Sequence, residues 1–317
     1  TFQNAAAGGA TDINGLSDGL TNSSGATIGL GTGALAADDG SANNNTALGY
    51  QALNDATTSA FNVAVGYQAM DSLTTSFGYN TAVGYQTLEA ATTGYGNTAL
   101  GHTALKGIVT GNNNVAIGRG AGSSGDGSSS VIIGHDAGRV AGTGSIAIGA
   151  DSLTSFSLAT SAVAVGQSTL KALTTGTNNT AVGQDGLIDA TTGANNTALG
   201  KGAGYKVTTG SGNTMIGSDA GSGAGPATTS NNTFVGYYSG RFIPGTTNTL
   251  VGYKAGYGVS GSTTTGATDN AAFGGSALEA ITTGEGNTAI GKDAGILNST
   301  GTRNTYLGNT AGDSTTT

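Results

Sequence analysis

The stretch that decides the fold is NTAVGYQTLEAATTGYG, Asn80–Gly96. Its opening phrase returns at once as NTALGHTAL from Asn97. It stands earlier as NTALGYQAL from Asn45 and NVAVGYQAM from Asn62, and far downstream as NTAIGKDAG from Asn287. A short phrase repeated at a fixed period marks an array in which each unit buries its face on the next. Function in such a chain is sought in surfaces and length before pockets.

Within the unit, Thr-Ala-Val alternates at period two and is rich in β-branched residues, so it reads as a short strand. The glycine that follows permits a sharp bend or a close backbone approach. Taken as an anchor, it falls at Gly29, Gly49, Gly66, Gly84, Gly101, Gly118, Gly134, Gly149, Gly166, Gly183, Gly200, Gly217, Gly236, Gly252, Gly274, Gly291 and Gly308. The commonest spacing is 17 residues, with excursions from 15 to 22. The longest holds VSGSTTTGATD, Val259–Asp269, the signature of a loop on one face of a solenoid.

The residue before the anchor is apolar throughout, as at Leu48, Val65, Val83, Leu100 and Ile117, and is read as the one inward apolar side chain of each coil. Four residues after the anchor stands Leu or Met (Leu53, Met70, Leu88, Leu105) or else Gly. A second short strand is expected to carry that Ala-Leu or Ala-Gly pair, and Ala-Thr-Thr-Gly is the return turn. No helical stripe survives for three turns. The expected architecture is all-β: a parallel β-roll of about 17 coils, about 17 residues each, spanning residues 25–317 behind a lead-in over 1–24. At roughly 4.8 Å per coil it would run on the order of 80 Å.

Composition narrows the possibilities. The 317 residues include 59 Gly, two Pro, no Cys and no Trp, and only 9% are charged. Hydrophobic residues at 36%, at fixed positions, exclude a disordered or collagen-like chain. A net charge of -8, with ten scattered Lys and Arg, argues against a nucleic-acid partner. No apolar run approaches a membrane span, so no direct membrane insertion is expected. The chain starts at Thr1 and shows no signal peptide, which reads as a processed part of something longer. So thin a coil implies several chains sharing a core.

The Asn four residues before the anchor pairs with it in Asn45/Gly49, Asn62/Gly66, Asn80/Gly84, Asn97/Gly101, Asn114/Gly118, Asn179/Gly183, Asn196/Gly200 and Asn287/Gly291. It is a turn residue that can also form an amide ladder from coil to coil. The position after the anchor makes a row, Tyr50, Tyr67, Tyr85, His102, Arg119, His135, and later Tyr237 and Tyr253. That row is either a packed ladder at a seam between chains or a contact surface for sugar rings. The next position is often acidic: Asp136, Asp151, Asp185, Asp219 and Asp293. Calcium is considered there and set aside, because the Gly-Gly-x-Gly-x-Asp nonapeptide is absent.

His102 and His135 fall two coils apart, about 10 Å, too far for one metal or proton relay. No nucleophile elbow or phosphate loop is present, and nothing implies a cleft. Catalytic residues, cofactors and metals are therefore all expected to be none.

NTAIG, NVAIG and SIAIG, each followed by a small residue three places on, resemble the head-domain repeat of YadA-like trimeric autotransporter adhesins. The longer NTALGYQAL-plus-TTG form resembles repeats in tail-fibre and other virion proteins of tailed phages. INGLSDGLTNSSGATIGLGTGAL, Ile13–Leu35, resembles their lead-in in phages of marine cyanobacteria. The resemblance implies a left-handed roll with three chains around a threefold axis. It also implies a non-enzymatic, extracellular structural role: a spacer of a tail fibre or virion appendage, with host-surface glycans and other fibre or tail proteins as partners. The alternative is the head of a bacterial surface adhesin, which differs in carrying a neck, stalk and membrane anchor. An ice-binding solenoid, from its Thr rows, and a polysaccharide depolymerase stand further behind.

Overall fold

A computed structural model describes residues 19–21, 27–39, 43–74, 78–140, 142–155, 161–223, 228–260 and 266–314. The other lead-in residues and the middle of the long connection before Gly274 lie outside the described residues. The chain forms two compact units, Thr1–Ser145 and Ile146–Thr317.

The first unit holds β1 (Gly19–Thr21), β2 (Ile28–Leu30), β3 (Thr46–Leu48), β4 (Val63–Val65), β5 (Thr81–Val83), β6 (Thr98–Leu100), β7 (Val115–Ile117) and β8 (Val131–Ile133). β1 pairs antiparallel with β2, and from β2 to β8 each strand pairs parallel with the next. The second unit holds β9 (Ile146–Ile148), β10 (Val163–Val165), β11 (Thr180–Val182), β12 (Thr197–Leu199), β13 (Thr214–Ile216), β14 (Thr233–Val235), β15 (Thr249–Val251), β16 (Ala271–Phe273), β17 (Thr288–Ile290) and β18 (Thr305–Leu307), again parallel throughout. Each unit is a β-solenoid with one three-residue strand per coil and, among the described residues, no helix.

The pairing corrects the first anchor. Gly29 pairs with Ala47 and Leu30 with Leu48, so Gly29 is a strand centre, and Gly31, at φ +123°, is the equivalent of Gly49. The sequence GLGTG offers three glycines, Gly29, Gly31 and Gly33, and hydrogen-bond register singles out Gly31.

A second correction concerns the Ala-Leu segment, which is a turn and not a strand. Gln51 and Leu53 have φ of +52° and +51°, and Gln68, Met70, Gln86 and Leu88 repeat this coil after coil. Left-handed residues at alternate positions cannot lie in a strand. They still bond from coil to coil: the Leu53 amide donates to the Ala69 carbonyl, and the Gln68 amide donates to Tyr50.

The third correction is the inside. In every strand from β3 to β18 the middle residue is buried and the two flanking ones are not. The aliphatic residue before the anchor therefore points out, with Leu48 48% and Leu100 47% exposed. The interior is instead lined by the strand-centre Ala, by Leu53, Met70, Leu88 and Leu105 after the bend, and by the residue before the Thr-Thr or Val-Thr turn, as at Leu73, Ala91, Ile108 and Leu173. Each coil thus fills its own core, and poverty of core is no argument for several chains.

Packing explains why the fourth position after the anchor is Leu or Gly. Where the strand centre is Ala, Leu fills the coil. Where the centre is large, as at Ile132, Met215, Phe234 and Leu250, the partner is Gly138, Gly221, Gly240 and Gly256. A β carbon on Gly256 would lie 2.5 Å from Leu250 Cδ1, and one on Gly138 3.0 Å from Ile132 Cγ2. Between the two regimes come coils with Ala and Gly together, such as Ala198/Gly204. There Leu187 from the coil before and Met215 from the coil after close the space, each 2.8 Å from where a Gly204 β carbon would be.

Candidate functional site

The anchors and the asparagines are one structural device. Gly49, Gly66, Gly84, Gly101, Gly118, Gly183, Gly200 and Gly291 have φ between +129° and +141°, and an added β carbon at each would strike the carbonyl of the following anchor. The asparagine side chains are buried and run as a ladder. Asn62 donates its Nδ2 to Asn45 Oδ1 at 3.1 Å and its backbone N–H to the same oxygen at 2.9 Å. Asn80 repeats both bonds to Asn62 and also donates to the Gly94 carbonyl at 2.9 Å. Asn97 and Asn114 continue the first-unit ladder, Asn114 donating to Asn97 Oδ1 at 3.0 Å. In the second unit Asn196 bonds Asn179 at 3.1 Å, and Asn287 bonds Asn270 at 3.0 Å. Buried amides bonded in this way hold the coils in register.

The aromatic row is a stack. Ring centroids lie 5.1 Å apart for Tyr50–Tyr67, 5.2 Å for Tyr67–Tyr85 and 5.0 Å for Tyr85–His102, all within 14° of parallel. Inner rings so stacked turn their faces to each other and only edges and hydroxyls outward. Arg119 and His135 extend the row, and both reach Asp136, at 3.8 Å and 3.4 Å. In the second unit Tyr237 and Tyr253 stack at 5.9 Å.

The acidic position has a conformational explanation. Asp136, Asp151, Asp185, Asp219 and Asp293 have φ from +51° to +58°, the left-handed region that Asp tolerates better than most residues. Asp293 also pairs with Lys292 at 3.3 Å.

Two features escape a reading by repeat position. One is the outward aliphatic column, hidden because hydrophobic residues are assumed to face in. The other lies where YYSGRFIPG, Tyr237–Gly245, breaks the repeat. Tyr238 takes the left-handed position, φ +62°, that elsewhere holds Gln, Asp, Ser, Thr or Gly, and Lys254 in the next coil. Its hydroxyl hydrogen-bonds that of Tyr237 and, ahead of slight burial and neighbouring charges, pushes the Tyr237 phenol up to about 12. The Arg241 guanidinium carbon sits 4.3 Å from the centre of the Tyr238 ring and 5.1 Å from that of Phe242. Tyr257 meets Phe242 edge to face at 5.1 Å, with Lys254 Nζ 5.2 Å from the Tyr257 centroid and 3.3 Å from Glu279. A doubled Tyr after the anchor is the signal that marks this coil.

No protein-family model matches the chain, and no curated protein or solved structure matches it.

Proposed function

We propose that the chain is a non-enzymatic structural fibre segment. It is a rod-like spacer of a phage tail fibre or related virion appendage, extracellular, trimeric, and in contact with host-surface glycans. The observation that carries this reading is the outward column before the anchors: Leu48, Leu100 and Ile117 in the first unit, and Leu199, Phe273, Ile290 and Leu307 in the second, all 38% exposed or more. Contiguous apolar rows are uncommon on monomers and mark surfaces that become covered. Covering one half-exposed Leu or Val contributes about 1 kcal/mol, so a column of them favours association strongly. The repeated NTALGYQAL-plus-TTG phrase, with its resemblance to tail-fibre repeats, supplies the biological setting.

Sedimentation equilibrium tests the assembly. The expected mass is three times 30.4 kDa. A folded species at 30.4 kDa across the micromolar range would sink the shared-seam reading.

A further inference from the structure

We propose that Tyr238, Arg241, Phe242, Lys254 and Tyr257 form a subsite for an acidic sugar of a surface polysaccharide, with Arg241 taking the carboxylate. This rests on the attachment reading above and gives it a location and a ligand class.

Three observations meet at this place. First, Arg241 lies over two aromatic rings and has no carboxylate partner among the described residues, whereas the neighbouring Lys254 is paired with Glu279. Its Nε is buried without a hydrogen-bond partner, which leaves the outer edge of the guanidinium, with no acceptor among the described residues, as the face a ligand can reach. A planar guanidinium offers parallel donors that match a carboxylate.

Second, Tyr238 and Phe242 meet Tyr257 at steep angles, 69° and 89°, while Tyr238 also packs on Tyr237 at 3.8 Å and 33°, so these rings form an irregular cluster and not the parallel stack of Tyr50–Tyr85. Tyr238, Arg241, Phe242, Lys254 and Tyr257 are all half-buried, so the patch is firmly seated and still reachable. Aromatic surface beside fixed polar groups suits the apolar and hydroxylated sides of a sugar.

Third, the patch departs from the repeat where the repeat has no need to. A coil is closed by Gly236 and Gly252 whatever follows them, as Gly183 is by Gln-Asp and Gly291 by Lys-Asp. Aromatic and basic residues are sparse in a chain of net charge -8, yet five gather here within two coils.

The test uses the full chain and two probes of equal length, a galacturonate trisaccharide and a neutral galactose trisaccharide, titrated by isothermal calorimetry and by NMR. The uronate should bind, and Arg241→Gln should weaken it by about tenfold or more, the worth of one charge-assisted contact. Tyr257→Ala should weaken it independently, and both variants should keep the wild-type circular dichroism and sedimentation. Uronate binding that ignores both substitutions overturns the subsite. Binding of the neutral sugar alone overturns it while leaving glycan attachment standing. Failure of both sugars, extended to a glycan array, removes the attachment reading as well. No sugar binding together with loss of assembly in Arg241→Gln would reassign the patch to a seam between chains and end the proposal.

Discussion

At Gly183 the chain leaves no room for any side chain. Its φ is +129°, and a β carbon would sit 2.5 Å from the Gly200 carbonyl oxygen, which is backbone and cannot rotate away. Gly183→Val therefore combines a forbidden backbone region with a clash and should cost about 3 kcal/mol or more, read as a lowered urea midpoint; an unchanged midpoint would falsify the steric role. A different residue-scale economy operates at Asp126. Elsewhere the turn amides Thr174, Thr175 and Gly176 all donate to the Thr191 carbonyl of the next coil. At Val109, Thr110 and Gly111 the Asp126 carboxylate takes that place, accepting their three N–H groups at 2.7–2.9 Å and the Thr110 hydroxyl. Partial burial alone would raise its pKa, but the Thr110 hydroxyl and the three amides outweigh burial and lower it from 3.8. A lowered native pKa contributes stability that is present above 3.8 and lost as pH falls through the native value. Asp126→Asn should therefore melt below wild type at pH 7 and converge with it as the pH drops below 3.8; a gap that stays constant would show the charge to be irrelevant.

At the scale of one coil, the interior is conserved in volume and not in residue. Leu250 fills the space left open by Gly256, while Ala272 stands opposite Leu278 in the next coil. Leu250→Ala should cost about 2–5 kcal/mol by opening a cavity. Gly256→Leu should cost about 1–3 kcal/mol by overpacking, since Gly256 already has φ +54°, close to the +52° of Leu278. The double variant recreates the Ala-and-Leu pair and should regain most of both losses. Denaturant melts of the three variants give the coupling directly, and simple additivity would mean that the two positions do not share one space.

The strand, the period and the Asn-to-Gly spacing were legible in the sequence because each depends on local backbone preference. What was not legible depends on neighbours. The direction in which Val83 points is set by which side of a three-residue strand closes over the core, and a Thr-Ala-Val triplet permits either. The turn at Gln51–Leu53 hides because Leu is rarely left-handed, and only the Leu-or-Gly alternation at that position betrays it. The Arg241 patch is hidden for the opposite reason: averaging over repeats discards the coil that differs.

For the whole molecule, the decisive surface is the outward column, because its side chains contribute little to the coil they stand on. The strand centres Ala99 and Ala198 are buried, while Leu100 and Leu199 beside them are 47% exposed. A lysine at either place leaves its ammonium in water in the lone chain, so Leu100→Lys/Leu199→Lys should keep its circular dichroism and lose little stability on that account. In an assembly that covers the column, the same lysines bring unpaired charges into an apolar seam at a cost of several kcal/mol per ion. The double variant should therefore sediment as a folded 30.4 kDa chain. Leu100→Ile/Leu199→Ile, equally apolar and of equal size, should still assemble. If the lysine variant unfolds outright, the column belongs to the coil's own core. If it assembles as before, the seam lies on another face, and the aromatic row with its outward hydroxyls becomes the next surface to charge.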